Sequence, residues 1–209
     1  MRAKTQFFSG FALSVGLLAP VAQAVEPTLT SAGFTGLGVT PNARLMGWGH
    51  AGVVYDNTLT GIAFSPRGDN LVGAVGLLPN MEVSLRLAAT NSRANCFTGG
   101  GCGARDLSAG GKLAIGLDAA NRFHLAAGVA DFGGGATYFR SYYSVLTYHE
   151  GPMEASAGLA RRSGTGVRGS QSPLHGLFGS AAWQPASWVR AHVEYSDSEA
   201  WAGVRLFAP

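Results

Sequence analysis

Two glycine-rich stretches have the residue types from which phosphate-binding sites are built. Residues 164–169 spell G-x-G-x-x-G, which holds a dinucleotide when a strand precedes it and a helix follows. Here the motif lies in the polar stretch RRSGTGVRGSQS, and no helical pattern comes after it. Residues 108–112 have only a faint likeness to a phosphate loop, because Asp106 occupies the place of the first glycine and Leu113 follows the lysine. The sequence therefore predicts no nucleotide site.

The second chemical feature is a pair of cysteines, Cys96 and Cys102, in the stretch CFTGGGC. In an exported protein two neighbouring cysteines are typical of a local disulfide. The ring would be short, so its stabilisation would be about 2 kcal/mol. A metal site is the alternative, but it needs further ligands at suitable spacing, and these are missing. We predict a disulfide and no metal or cofactor.

A hydrolytic site is the third chemical option, since Ser-His-Asp triads have no fixed sequence spacing. His149 and Glu150 fall at an expected periplasmic turn, and His175 falls near an outer loop, without an obvious nucleophile beside them. Neither G-x-S-x-G nor H-E-x-x-H occurs. We predict a protein that is not an enzyme, and an outer-membrane hydrolase remains an alternative.

The remaining histidines and arginines have simpler interpretations than catalysis or metal binding. His50, His124 and His192 are predicted to point inward as packing or hydrogen-bonding residues rather than ligands. Arg161, Arg162 and Arg168 form a basic cluster that we place in the last long outer loop. Such a cluster suits contact with lipopolysaccharide phosphates, or alternatively with an anionic polysaccharide.

The first residues indicate how the chain is delivered. Residues 1–24 combine Arg2 and Lys4 with an apolar stretch and an Ala-Gln-Ala end, which is the pattern of a cleaved secretory signal. Its removal lowers the net charge from +3 to +1, so a nucleic-acid partner is not expected. Residues 25–46 are ambiguous between an extra strand, a periplasmic tail and a segment tucked into a lumen. Residues 47–209 are expected to form one barrel domain.

Composition restricts the environment of that domain. Charged residues make up only 13% of the chain, against about a quarter in typical soluble domains, and glycine reaches 31 residues. These values suit a sheet whose outer face meets lipid. After the signal, no segment offers the roughly 18 uninterrupted apolar residues of a membrane helix. A membrane span must then be a closed barrel, which alone satisfies every backbone group without helices.

Period-two alternation is the pattern that builds this barrel. It is clearest in five segments, residues 81–89, 106–117, 122–130, 153–159 and 189–195. Weaker candidates are residues 48–56, 71–78, 138–149, 174–183 and 199–207. Long connections alternate with tight turns, as in outer-membrane barrels. The fold predicted is all-β, an antiparallel up-and-down transmembrane β-barrel of about ten strands (8–12).

The charged residues of these strands fall on the face opposite the apolar set. A Lys or Arg facing lipid near the membrane centre costs roughly 2–4 kcal/mol, so an inward direction is favoured. An interior of about eight to ten strands is largely filled by its own side chains. We predict inward charges that pair with one another at Glu82, Arg86, Lys112, Glu154, Arg190 and Glu194.

The order of several motifs also suggests a family. GLGVTPNAR at residues 36–44, LPNMEVSLR at 78–86, VADFGG at 129–134, WQP at 183–185 and VEY at 193–195 follow one another. In this order they resemble the N-terminal barrel portion of YjbH-type proteins of exopolysaccharide and capsule loci, over residues 33–197. The resemblance implies an outer-membrane protein acting in synthesis or export of an extracellular polysaccharide. It carries over no catalytic residues.

These observations together predict a non-catalytic outer-membrane barrel that supports exopolysaccharide or capsule production. Its expected partners are outer-membrane lipid and polysaccharide export components. A general structural or adhesion-type barrel unrelated to polysaccharide is the main alternative.

Overall fold

The computed structural model describes residues 27–56, 68–90, 105–132, 137, 139–163, 172–197 and 199–208. The predicted signal, Cys96, Cys102 and Arg168 lie outside these residues. Across the described ranges, no helix has the length and apolar character needed to cross a membrane. The described chain is all-β.

Ten strands follow one another in the described residues, and each pairs antiparallel with the next. They are β1 (Ala51–Asp56), β2 (Gly68–Leu78), β3 (Met81–Thr90), β4 (Arg105–Gly116), β5 (Phe123–Ala130), β6 (Ser141–Glu150), β7 (Met153–Arg162), β8 (Gly176–Ala186), β9 (Val189–Ser196) and β10 (Glu199–Leu206). The predicted antiparallel up-and-down sheet of ten strands is confirmed. All five strongly alternating segments lie within or across these strands, because period-two patterning matches the pleat of a half-buried strand.

The sheet is not closed. Pairing runs from β1–β2 to β9–β10, and the strands of the described chain include no β1–β10 pair. β1 has six residues against eleven in β2, so it offers a short edge. The chain before β1 continues along the edge of β2 that β1 pairs with, and there Trp48 forms a parallel bridge to Gly76. Gly76 permits this approach, since a Cβ there would lie 1.7 Å from the Gly47 oxygen.

The two edge strands nevertheless lie opposite each other. One cavity of about 240 Å³ is lined by Val54 of β1 and by Trp201 and Arg205 of β10. A second, of about 410 Å³, is lined by residues of β1 and by Arg205. The sheet therefore curls far enough to bring its edges to the same cavities without pairing them.

The polarity of the two faces is the reverse of that in a soluble sheet. Apolar side chains such as Leu107, Leu177 and Val204 are more than 60% exposed on the outer face. The inner face carries buried polar and charged side chains, among them Asn70, Glu82 and Lys112. The strands thus place their charged residues where the sheet curls around its interior.

Residues 27–46 occupy that interior, and we call them the interior segment. Of the three places considered for this stretch, the structure shows it inside the curled sheet. Leu29, Phe34 and Leu37 are almost completely buried. The Phe34 ring meets Tyr143 of β6 edge-on, with centroids 5.3 Å apart. Phe34 also belongs to an apolar cluster with Ala43, Phe178 and their neighbours, which is the main core of the molecule.

Candidate functional site in the sheet interior

The six charged residues predicted to face inward all lie on the inner face. Glu82, Arg86, Lys112, Glu154, Arg190 and Glu194 are at most 7% exposed. A buried charge is tolerated only when hydrogen bonds or an opposite charge compensate its lost hydration. The partners of these six residues therefore define what the interior is built to hold.

Glu194 of β9 holds the middle of the interior segment. Its Oε1 atom accepts the N–H of Gly38 at 2.8 Å. Its Oε2 atom accepts the N–H groups of Val39 and Thr40, at 2.9 and 2.6 Å, and the Thr40 hydroxyl at 2.7 Å. Three successive backbone N–H groups thus converge on one carboxylate, the geometry of an anion-binding nest.

Glu82 of β3 connects two distant points of the same segment. Its Oε1 accepts the Thr35 N–H at 2.7 Å and its Oε2 accepts the Met46 N–H at 2.8 Å. The Thr35 hydroxyl also donates to this carboxylate. Lys112 of β4 lies 3.4 Å from Glu82 Oε1 and donates to the carbonyl oxygens of Thr35 and Asn42. In this ion pair the carboxylate therefore binds backbone N–H groups of the interior segment, and the ammonium binds its carbonyl groups.

Glu154 of β7 binds the end of the segment. Its Oε1 accepts the side-chain amide of Asn42 at 2.8 Å, and Arg44 lies 3.6 Å from its Oε2. On the neighbouring strand, the Thr147 hydroxyl accepts the Ala43 N–H at 2.7 Å. A carboxylate and a hydroxyl of the sheet wall thus hold residues 42–44.

The two inward arginines have uncharged side chains among their partners. Arg86 donates from Nε to the Asn70 amide oxygen at 2.8 Å and stacks over the Phe139 ring. Arg190 donates to Gln184 Oε1 and, at 3.1 Å, to the hydroxyl of Thr28. Of the six charges, Glu82 and Lys112 form a direct pair, whereas the other carboxylates bind the interior segment. Sequence reasoning missed this segment as their partner. The signal for it was the high content of Thr and Gly in residues 28–42, whose short side chains leave backbone N–H groups accessible.

The predicted basic cluster is only partly described. Arg161 and Arg162 were predicted to lie in the last long outer loop and this is wrong, because they are the last two residues of β7. Arg161 is exposed, and Arg162 is half-buried and pairs with Asp197. Arg162 also donates its N–H to His175 Nδ1 at 3.5 Å. Arg168 lies outside the described residues, so the structure does not show the three arginines together.

The three histidines that were predicted to face inward lie in different surroundings. His50 was predicted to face inward and this is wrong: it is exposed in a turn that contains Gly47 and Gly49, both with positive φ. His124 lies 3.1 Å from the Asn121 oxygen. His192 is half-buried on the inner face, with Nε2 3.5 Å from Glu194.

The three residues considered for a hydrolase lie in two places, with His149 and Glu150 on β6 and His175 before β8. Glu150 ends β6 beside a tight turn and contacts Tyr148 and Arg122. His149 precedes it on the same strand, whereas His175 lies before β8. In the described ranges no group of three His, Cys, Asp or Glu residues has the geometry to hold a metal ion.

Comparisons with known proteins add no identification. No family model, no curated protein and no solved structure matches this chain.

Proposed function

We propose that this protein is an outer-membrane β-barrel whose interior is filled by its own N-terminal segment, and that it supports exopolysaccharide or capsule production without catalysis. The observation that carries the membrane assignment is the reversed polarity of the sheet. The polysaccharide role is supported by the order of motifs that resembles YjbH-type proteins.

The outer face favours lipid over water. Leucine, isoleucine and valine side chains project from most of the strands and are roughly half exposed or more, at Val53, Leu85, Leu107, Ile115, Leu159, Leu177, Val193 and Val204. Monomeric soluble proteins rarely expose contiguous apolar patches beyond a few hundred Å². Most strands have eight to twelve residues, near the 9–11 that a tilted strand needs to cross a bilayer.

A bilayer also supplies a reason for the edges to pair. Unpaired backbone N–H and C=O groups cost several kcal/mol each in hydrocarbon, so open edges are not stable there. Because ten strands alternate in direction, β1 and β10 run antiparallel. In the membrane they close the sheet by direct pairing, with the interior segment inside.

The filled interior favours a supporting role rather than polymer conduction. The interior segment touches the inner face at β3, β4, β6, β7 and β9. A polysaccharide chain would have to displace it. We therefore assign the protein as a scaffold or partner of export components, with the barrel as its membrane anchor.

Two experiments test this function. Membrane fractionation followed by gel migration with and without boiling tests the barrel: an unboiled compact species in the outer-membrane fraction supports it, and a soluble protein without a heat-dependent shift contradicts it. Deletion of the gene tests the role. Loss of secreted polymer, restored by complementation, supports it. Unchanged polymer amount and composition would leave a general structural or adhesion-type barrel.

A further inference from the structure

Two neighbouring arginines at the end of β7 lie on opposite faces of the sheet. Arg162 is on the inner face, opposite the buried Ser141, and it pairs with Asp197. Arg161 is on the outer face with Leu159, because successive residues of a strand point to opposite sides. Arg161 therefore faces the side of the sheet that we assign to lipid.

This direction makes Arg161 an exception among the basic residues of the sheet. The other Lys and Arg side chains that the structure describes within strands face inward, namely Arg86, Lys112, Arg162, Arg190 and Arg205. An arginine that faces the middle of a bilayer is strongly disfavoured, whereas one at the headgroup level is tolerated. The height of Arg161 along β7 therefore decides what its side chain meets.

Tyrosines mark the headgroup level at this end of the sheet. Tyr55 of β1, Tyr142 of β6 and Tyr195 of β9 each lie one residue from the same end of their strand and are about half exposed or more. Aromatic rings with a polar edge collect at membrane–water boundaries. Arg161 is likewise one residue from the end of β7, directly opposite Tyr142 in the strand register. Its guanidinium therefore lies at the level of lipid headgroups, on the exterior side in the proposed orientation.

The protein supplies no counter-charge to Arg161. Among the described residues it has no ion pair and no hydrogen bond. Arg122 at the opposite end of the sheet is also exposed, but it lies 3.7 Å from Asp118 and 3.5 Å from Glu150. An arginine that faces lipid headgroups without a protein carboxylate beside it is placed to attract an anionic headgroup.

A second arginine adds positive charge beside Arg161. The carbonyl oxygen of Arg140 accepts the Ser163 N–H at 3.1 Å, which extends the β6–β7 ladder and places Arg140 diagonally across from Arg161, about 7–8 Å away. The Arg140 guanidinium donates to the carbonyl oxygens of Asp131 and Phe132, at 2.9 and 3.5 Å. Both acceptors are uncharged, so Arg140 keeps its positive charge at this rim.

Apolar side chains continue the outer face on the membrane side of Arg161. Leu159 precedes it by two residues on the same face, and Leu177 lies opposite Leu159 on β8. Both leucines are more than 60% exposed. A cation beside an apolar wall matches an amphiphile with an anionic headgroup and acyl chains. A water-soluble anionic polymer would gain nothing from the leucines.

We propose that Arg161 binds the phosphate group of a lipid headgroup, with Arg140 and Tyr142 beside it. The acyl chains of that lipid lie on Leu159 and Leu177. The planar fork of guanidinium donors matches phosphate oxygens, and the tyrosine hydroxyl can donate a further hydrogen bond. The site rests on the proposed function for its place in the membrane and adds a ligand to it.

Native mass spectrometry tests the proposal with the full chain folded in a nonionic detergent. The probes are dioleoyl phosphatidic acid, whose headgroup is a bare phosphate, and dioleoylglycerol, which has the same acyl chains without phosphate. We expect phosphatidic acid to bind at least about fivefold more tightly, the effect of one basic residue near an anionic lipid surface.

Variants assign this preference to the site. Arg161→Gln should weaken phosphatidic acid binding about fivefold, Arg161→Lys should keep most of it, and Tyr142→Phe should lose less than Arg161→Gln. Arg122→Gln is the matched control and should bind as the wild type does, because that exposed arginine already has carboxylate partners. The heat-dependent gel shift confirms that each variant is folded.

Each contrary result is decisive for protein that shows this gel shift. Equal binding of the two lipids would overturn the proposal, as would equal affinity of Arg161→Gln and the wild type for phosphatidic acid. Displacement of the lipid by inorganic phosphate would identify a site for free phosphate instead. Displacement by polygalacturonate would identify a site for an anionic polysaccharide.

These failures are distinct from failure of the proposed function. A protein that shows the gel shift but has no lipid preference loses the headgroup site and keeps the barrel. A soluble protein without the gel shift loses the membrane assignment on which the site depends.

Discussion

Replacement of Glu194 is the sharpest test of how the interior segment is held. In Glu194→Ala the N–H groups of Gly38, Val39 and Thr40 and the Thr40 hydroxyl lose their acceptor. A buried donor without a partner costs about 1–3 kcal/mol. The four losses share one site and are not additive, since the segment relaxes and water enters. We expect the free energy of unfolding to fall by about 4 kcal/mol, which is more than one unpaired donor costs and less than four independent ones would cost.

The conservative variant separates shape from charge. In Glu194→Gln the amide oxygen can replace Oε2 and keep Val39 and Thr40 bonded, while the NH₂ group meets the Gly38 N–H donor to donor. We expect a loss of about 1–2 kcal/mol, because one bond is broken and the others lose their charge assistance. Val193→Ala on the outer face of the same strand is the control and should cost less than about 1 kcal/mol.

The measurements are urea unfolding in lipid vesicles and trypsin cleavage after Arg44. Arg44 lies in the interior segment, so cleavage there reports release of the segment rather than unfolding of the sheet. We expect faster cleavage in the order Glu194→Ala, Glu194→Gln, wild type. If Glu194→Ala unfolds at the same urea concentration as Val193→Ala and protects Arg44 equally, the carboxylate does not anchor the segment and our account of the interior is wrong.

Three further predictions address the outer face, the sheet contacts and a turn. Leu85→Arg should destabilise the protein in vesicles by about 2–4 kcal/mol, because the side chain would face lipid; a near-zero change would show that this face does not meet the membrane. Gly158→Ala should lower the free energy of unfolding in urea by about 1–3 kcal/mol, since the added Cβ would lie 2.3 Å from the Phe178 ring. Gly73→Ala is the control, because the nearest atom to its Cβ would be 3.8 Å away. Equal losses in the two variants would contradict the packing. Asp118 accepts the N–H groups of Phe123 and Arg122, which hold the pKa of its carboxyl below the ordinary value. Its charge therefore stabilises the turn above about pH 4, and this contribution is lost as the pH falls through the lowered pKa. The free energy of unfolding of the wild type should exceed that of Asp118→Asn at neutral pH, and the two values should converge in acid. A difference that stays constant with pH would refute the assignment.

Much of the wall could be predicted because alternation is a property of each strand taken separately. In residues 81–89 the apolar and polar side chains alternate, and the pleat turns them to opposite faces whatever the neighbouring strands do. The same reasoning placed Glu82 and Lys112 on one face, and the β3–β4 register brings them opposite each other. Their meeting required only that consecutive strands pair.

Closure of the sheet lay beyond this reasoning. Whether β1 and β10 pair depends on twist and stagger summed over nine strand pairs, and no local pattern encodes that sum. The exposed position of His50 escaped prediction for a related reason. Two glycines with positive φ redirect the chain before β1, so the strand pattern begins one residue after His50.

By itself the sequence determined the antiparallel strands, their order and the sides of the sheet on which charge and leucine lie, since these follow from neighbours along the chain. Only the tertiary structure decided where the interior segment goes and what the inward carboxylates hold. Gly38 and Glu194 are 156 residues apart, and their contact exists because the curled sheet encloses a space that the segment fills. The segment has no period of its own. Its backbone N–H groups, buried away from water, must find acceptors, and the inner wall provides them.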